Sequence, residues 1–167
     1  FVTGGTFHTE IDDRFVVEGS LLVKNSNGTY GIQDEATTEA VAKIGQAGYV
    51  TLDEAFNAAQ DGETIELLQD VVSSKYFDIN KAITLDGNGY TLTSTAGRAI
   101  NVSGADGVTI KNLTINATGE RAINIIQGAT NVTIENVTAT AANYAVNVAG
   151  SAANAVIVIK DSELTGL

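Results

Sequence analysis

The sequence predicts a mainly β solenoid, and three observations support that fold class. A short motif recurs at a constant step of about two dozen residues, reading Ala99-Ile100-Asn101-Val102, then Ala122-Ile123-Asn124-Ile125, then Ala145-Val146-Asn147-Val148. A longer run at residues 108–115 recurs at 132–139, with a weaker copy around 157–164. The longer run alternates apolar and polar residues, as half-buried strands do. A fixed period of this length is typical of folds in which each repeat stacks on its neighbours.

Each copy of the longer run is predicted to bend at a residue that tolerates left-handed backbone geometry. Because stacked coils lie about 4.8 Å apart, polar side chains at equivalent positions can hydrogen-bond into an internal ladder. We therefore predict two structural ladders, one of Asn112, Asn136 and Asp161 at the bends and one of Asn101, Asn124 and Asn147 in the short motif. The alternative is that these are solvated turn residues.

A short amphipathic helix is predicted ahead of the coils, over residues 52–60. Thr51 and Glu54 have the spacing of a capping box, and Gly62 is a suitable C-terminal stop. Such a helix would cover the first coil, whose apolar core and strand edges would otherwise meet water.

The run AITLDGNGYTL at residues 82–92, together with the two asparagine bends, resembles the right-handed parallel β-helix of pectate-lyase-like proteins. The resemblance covers residues 64–167. Residues 48–71 are similar to the segment with which β-helix modules of secreted or surface-anchored bacterial proteins begin. Three upstream motifs resemble the segment with which such modules end, namely residues 4–7, 17–19 and 27–30. The resemblance implies a mainly β chain, a right-handed parallel β-helix solenoid with a short N-terminal capping α-helix.

The N-terminal part of the chain, up to residue 45, does not share the repeat. Asn27-Gly28 lies between two apolar runs and is a typical hairpin turn, and a polar stretch rich in Ala, Thr and Glu follows. We predict a β-rich segment and linker over residues 1–45, of the type that closes a preceding module. The capping helix and the coils then occupy residues 46–167.

The composition narrows the function. The 167 residues carry a formal net charge of −11, which argues against nucleic acid and anionic membrane surfaces as partners. No apolar run reaches the length of roughly 18 residues that a membrane-spanning helix needs, so no membrane insertion is expected. The chain has no cysteine and no calcium-binding motif, and we expect neither a metal nor a cofactor.

A polysaccharide lyase or glycoside hydrolase is the alternative function that the resemblance implies. Sugar hydrolysis needs two carboxylates about 5–9.5 Å apart, but no column of the repeat carries a pair of acids. The candidate outward acids are Glu120, Glu135, Asp161 and Glu163. The single histidine, His8, lies far in sequence from the coils. We therefore assign no catalytic residue.

Arg98 and Arg121 are one repeat apart, and Tyr144 takes the third position. These three residues are the candidate ligand-binding set, because two stacked guanidinium groups could clamp an anionic glycan. The alternative is that the arginines are solvated charges whose repulsion Glu120 reduces. The chain has no Trp, which weakens a lectin function because sugar rings commonly stack on aromatic side chains.

The function that we predict is a non-catalytic structural or adhesive β-helix module, acting as a stalk, display element or fibre building block of an extracellular bacterial surface protein. The expected partners are a glycan or host-surface ligand, and further copies joined head to tail or in tandem. Self-association is expected because residues 1–7, an apolar strand-like run, resemble the end of a β-helix. That run could complete the uncapped last coil, either by folding back within the chain or between chains, head to tail. The alternative is that the chain is a fragment cut from a longer one.

Overall fold

The repeats wind into a parallel β-solenoid of about six turns, with one short α-helix near the N-terminus. The computed structural model describes residues 1–167 apart from the side chain of Asp13. The strands, numbered along the chain, are β1 (Thr6–Phe7), β2 (Ser20–Lys24), β3 (Tyr30–Asp34), β4 (Ala42–Ile44), β5 (Ala47–Tyr49), β6 (Thr64–Leu67), β7 (Val71–Ser73), β8 (Phe77–Ile79), β9 (Thr84–Asp86), β10 (Thr91–Ser94), β11 (Arg98–Ser103), β12 (Thr109–Ala117), β13 (Arg121–Ile126), β14 (Val132–Ala141), β15 (Tyr144–Val148), β16 (Ile157–Lys160) and β17 (Glu163–Gly166). Helix α1 spans Leu52–Ala58, and two 3₁₀ helices span Asp13–Phe15 and Gly150–Ala152.

The coils present three faces, and within each face the strands of successive coils pair in parallel. Strands β6, β9 and β16 lie on the first face, β7, β10 and β17 on the second, and β8, β11, β13 and β15 on the third. Strands β12 and β14 each pass from the first face to the second without interruption, so their two halves pair with different neighbours. The predicted mainly β solenoid is confirmed.

The passage from first to second face occurs at the predicted bends. The φ angles of Asn112, Asn136 and Asp161 are +51°, +51° and +50°, a left-handed conformation that asparagine and aspartate tolerate better than most residues. Because each bend inserts one extra residue into the alternation, apolar side chains on both sides of it reach the core. The apolar residues that the alternation marks as inward are at most 2% exposed, namely Val108, Ile110, Leu113, Ile115, Val132, Ile134 and Val137.

Helix α1 covers the first coil as predicted, but it is shorter than the sequence suggests. Both hydrogen bonds of the Thr51–Glu54 capping box are present. The helix ends at Ala58 rather than at residue 60, because Ala59 leaves helical geometry with ψ of 141°. Lys81 Nζ donates to the carbonyl oxygens of Phe56, Asn57 and Ala59 at 3.1, 3.0 and 2.7 Å. This cation therefore satisfies the C-terminal carbonyl groups that a glycine-led turn would otherwise have to cap.

The N-terminal strands extend the sheet of the first face. Strands β2 and β3 form the predicted antiparallel hairpin, β2 pairs with β5 in parallel, and β4 joins β5 to β6. The predicted boundary at residue 45 lies in the turn between β4 and β5, where Gly45 has a φ of +56°. One continuous sheet therefore runs through that turn, while the division into two domains stays a prediction.

The two ends of the chain are placed far apart in the strand order. Strand β1, within residues 1–7, pairs antiparallel with β3 rather than with a strand of the last coil. In the last coil, β15 pairs with β13, and β16 and β17 pair with β14. Val158 and Ile159 are each 48% exposed there, although Ile159 is in register with the fully buried Ile134.

Candidate functional site

The asparagines of the short motif form a continuous hydrogen-bonded chain on the third face. Asn124 Nδ2 donates to Asn101 Oδ1 at 2.9 Å, and Asn147 Nδ2 donates to Asn124 Oδ1 at 2.7 Å. Asn101 and Asn124 are buried, and Asn147 is half-buried. Since buried amide groups need partners, these bonds link three successive coils through side chains as well as backbone.

A second chain of hydrogen bonds follows the bends, and it begins one coil earlier than the sequence suggests. Asn136 Nδ2 donates to Asn112 Oδ1 at 2.9 Å, and Asn112 Nδ2 donates to Asp86 Oδ1 at 3.0 Å. Asp161 has the same backbone conformation, but no hydrogen bond to Asn136 occurs among the described side chains. An ionised carboxylate has no proton to donate, so an aspartate can begin such a chain, as Asp86 does, and cannot continue one.

Asp86 is the anchor of this chain. Burial by itself would raise the pKa of the carboxyl group, but hydrogen bonds from Asn112 and from the backbone N–H of Asn88, together with Lys111, lower it below its ordinary value. Lys111 Nζ lies 3.1 Å from Asp86 Oδ2. The ionised form of Asp86 is therefore favoured in the folded chain.

Replacing Asp86 with asparagine is expected to remove an acid-sensitive part of the stability. A carboxyl group whose pKa is lowered by folding stabilises the chain fully above its unfolded pKa of about 3.9, and this contribution is lost as the pH falls through the folded value. We expect D86N to lower the free energy of unfolding by about 1–3 kcal/mol near neutral pH, with a smaller difference in acid. Urea unfolding of the parent chain and of D86N, from neutral pH to below about 3.9, measures the difference in stability. A difference that does not change with pH would contradict the role of Asp86.

The outer side of the first face carries a column of charged residues that sequence analysis did not find. The residues in register are Lys43, Glu66, Asp86, Lys111, Glu135 and Lys160, here called the charge column. Its cations each face an acid of a neighbouring strand, with N–O distances of 3.4 Å for Lys43–Glu66, 3.1 Å for Lys111–Asp86 and 2.8 Å for Lys160–Glu135. Opposite charges directly across a strand pair stabilise a sheet, so the charge column joins coils together.

The third face begins with a different column, in which cations and tyrosines are combined. Arg98 is in register with Arg121, and Arg121 with Tyr144, as the repeat places them. Arg98 Cζ lies 5.8 Å from the ring centre of Tyr76, and Arg121 Cζ lies 5.9 Å from that of Tyr144. We call Tyr76, Arg98, Arg121 and Tyr144 the Arg–Tyr column. Both distances are within the range of a cation–π interaction.

A match to a family model shows the family of the chain. The model of the pectate lyase-like adhesive domain matches residues 48–146. The chain belongs to this family. No curated protein and no solved structure matches the chain. The match begins just before helix α1 and continues into the third-face strand β15. It therefore includes the capping helix, the hydrogen-bonded chain of Asp86, Asn112 and Asn136, and the whole Arg–Tyr column, while Asn147 of the hydrogen-bonded chain on the third face lies one residue beyond it.

The expectation that no column carries a pair of acids is wrong at one place, because Glu66 and Asp86 are in register on β6 and β9. Lysines contact both of these acids, Lys43 at Glu66 and Lys111 at Asp86.

Within the part of the chain that the structure describes, no three His, Asp or Glu side chains are grouped so that they could hold a metal ion. Glu135 faces Lys160, and Glu120 faces Arg121 at 2.7 Å. His8 is exposed and lies in the N-terminal segment, outside the matched residues. No described helix has the length and hydropathy that a membrane span requires.

Proposed function

We propose that this adhesive β-helix module is a non-catalytic, extracellular segment of a bacterial surface protein, which holds a ligand-binding face at a fixed distance from that surface. Family membership is the observation that supports this function most strongly, because the matched family is described as adhesive. A stacked solenoid suits the task, since each coil adds rigid length and presents the same outward positions at regular spacing.

The arrangement of charges favours adhesion over catalysis. A retaining or inverting glycosidase needs two carboxylates that face one sugar, one of them able to release a proton. In this chain Glu135 is held by Lys160, and Asp86 is held in its ionised form by Lys111 and Asn112. Because the pKa of Asp86 is lowered, this carboxyl group cannot act as a general acid near neutral pH, and the contact of Glu135 with Lys160 joins two neighbouring coils.

Cleavage assays separate this proposal from its alternative, a polysaccharide lyase or glycoside hydrolase. We expect no product from polygalacturonate, alginate or neutral glucans, measured by reducing ends and by absorbance of unsaturated sugars. Reproducible product that disappears in an Arg98→Gln or Arg121→Gln chain would overturn the non-catalytic proposal.

Adhesion itself is tested with beads that carry the folded protein. We expect these beads to be retained under flow on immobilised surface glycans or on host-cell monolayers, and beads carrying the heat-unfolded chain to be released. Equal retention of both kinds of bead would contradict an adhesive function that depends on the fold.

A further inference from the structure

The charge column and the Arg–Tyr column differ in one respect that points to a ligand. Every cation of the charge column has a carboxylate of a neighbouring strand within 4 Å. In the Arg–Tyr column the neighbour in register with Arg98 is Arg121, a second cation. Like charges directly opposite each other destabilise a strand pair. The charge column also contains one like-charged pair, Glu66 and Asp86, but each of these acids contacts a lysine in register with it. Among the strands that the structure describes, the arginine pair has no acid in register to offset its repulsion.

The guanidinium of Arg98 has unused hydrogen-bonding capacity. Among the described side chains, no carboxylate lies within ion-pair distance of Arg98, and its five N–H groups make no hydrogen bond to protein. Arg121 has one acidic partner, Glu120, which is itself 58% exposed. The Nε atom of Arg121 is buried without a hydrogen-bond partner. Leaving a buried donor unpaired costs stability, and only the outer nitrogens of this guanidinium remain available to a ligand.

The tyrosines hold the arginines in place and leave part of their own rings open. Tyr76 and Tyr144 are each 51% exposed, at opposite ends of the arginine pair. A ring beside a guanidinium restricts its rotation, which lowers the entropy lost when the fork binds an anion. The exposed part of each ring offers apolar surface beside a polar hydroxyl, a combination that recurs at binding surfaces. The column thus combines two guanidinium groups that can donate hydrogen bonds to anions with two flanking aromatic surfaces.

We propose that the Arg–Tyr column binds an acidic glycan, with carboxylate or sulfate groups on Arg98 and Arg121 and sugar rings against Tyr76 and Tyr144. The formal net charge of −11 opposes long-range attraction of any polyanion, so binding at this site depends on the local arginine and tyrosine contacts. This site gives a ligand class to the adhesive function proposed above and rests on it. Arginine forks match the geometry of such oxyanions and bind them with two parallel hydrogen bonds. The spacing of adjacent strands, about 4.8 Å, aligns the two forks along the solenoid axis, so the glycan chain runs parallel to that axis.

The test measures binding of glycan fragments to the immobilised, folded 167-residue chain by interferometry. The probes are hyaluronan for carboxylates, chondroitin sulfate for sulfates, and neutral dextran. We expect at least one acidic probe to bind and dextran not to bind. Arg98→Gln and Arg121→Gln should each weaken binding roughly tenfold or more, and Arg98→Lys should also weaken it because an ammonium group cannot form the fork.

A matched control exists in the N-terminal hairpin, where Lys24 Nζ lies 5.9 Å from the ring centre of Tyr30. Lys24→Gln also removes one cation from a tyrosine, and we expect it to bind the acidic probe as the parent chain does.

Thermal unfolding shows whether each arginine variant is folded. A folded R98Q/R121Q chain with unchanged affinity would overturn the site, as would equal affinity for dextran. If no acidic probe binds while coated beads still adhere, the site inference fails and the adhesive function stands. If an acidic probe binds through the arginines but beads do not adhere, the adhesive function fails and the site stands.

Discussion

Replacing Ile134 with alanine is expected to lower the free energy of unfolding by about 2–5 kcal/mol. Ile134 is fully buried in the core of the solenoid, and its neighbours in register, Ile110 and Ile159, belong to the coils before and after it. Removing the side chain leaves a cavity that two stacked coils cannot close, because their spacing is set by backbone hydrogen bonds. Urea unfolding monitored by far-ultraviolet circular dichroism measures the loss.

The matched control for this change is Ile159→Ala. Ile159 occupies the equivalent position one coil later and is 48% exposed, so about half of its surface is already in water. We expect this variant to lose clearly less stability than I134A, because about half of the Ile159 side chain is not buried in the core. Equal losses for the two variants, or a loss below about 0.5 kcal/mol for I134A, would show that the inward face has been assigned wrongly.

Replacing Gly119 with alanine is expected to destabilise the chain by about 2–3 kcal/mol or more, through overpacking rather than a cavity. A Cβ atom at Gly119 would lie 1.9 Å from the carbonyl oxygen of Ala96 and 2.8 Å from Gly97 Cα. Both are backbone atoms of the previous coil, so a side-chain rotation cannot relieve the clash. The turn would have to move away from its neighbour, and the adjacent strand carries Arg121.

The control for this second change is Gly97→Ala. Gly97 lies in the corresponding turn of the previous coil, and nothing lies within 4 Å of the Cβ that alanine would add there. We expect G97A to unfold close to the parent chain and G119A to unfold at a clearly lower urea concentration. Comparable midpoints for both variants would mean that adjacent turns are not in close backbone contact.

The features that could be predicted from the sequence are those that repeat at a constant step. The short motif keeps the same spacing from copy to copy, so the register of Asn101 with Asn124 follows directly from the count. The capping box is also local, because Thr51 and Glu54 are three residues apart and their pairing needs no knowledge of the tertiary fold.

The charge column could not be predicted in the same way. The steps between its members change from one coil to the next, because turns of different length separate the strands. Only the strand pairing shows that Glu66, Asp86 and Lys111 lie in one row. The position of Asp161 at a bend was predicted correctly, but its place in the ladder was not. An ionised aspartate cannot donate a hydrogen bond, so the ladder ends at Asn136.

Tyr76 was also missing from the predicted glycan-binding set. It lies one residue out of step with the column, since Phe77 pairs with Ile100 and Tyr76 is therefore in line with Ala99. Its ring reaches Arg98 through side-chain direction, which a repeat count does not contain. The same holds for the pairing of β1 with β3, which depends on how the N-terminal turns bring these strands together.

The orientation of the coil-to-coil bonds gives the module a direction-dependent response to mechanical load. Backbone hydrogen bonds between parallel strands lie roughly across the strands, and the two asparagine chains point the same way, so all of them run along the solenoid axis. A pull on β17 along that axis opens its bonds to β14 one after another, as in peeling. A pull along the strand direction loads the same bonds together, in shear. Tension applied along the strands of the third face would thus meet greater resistance than tension that pulls the last coil away along the axis.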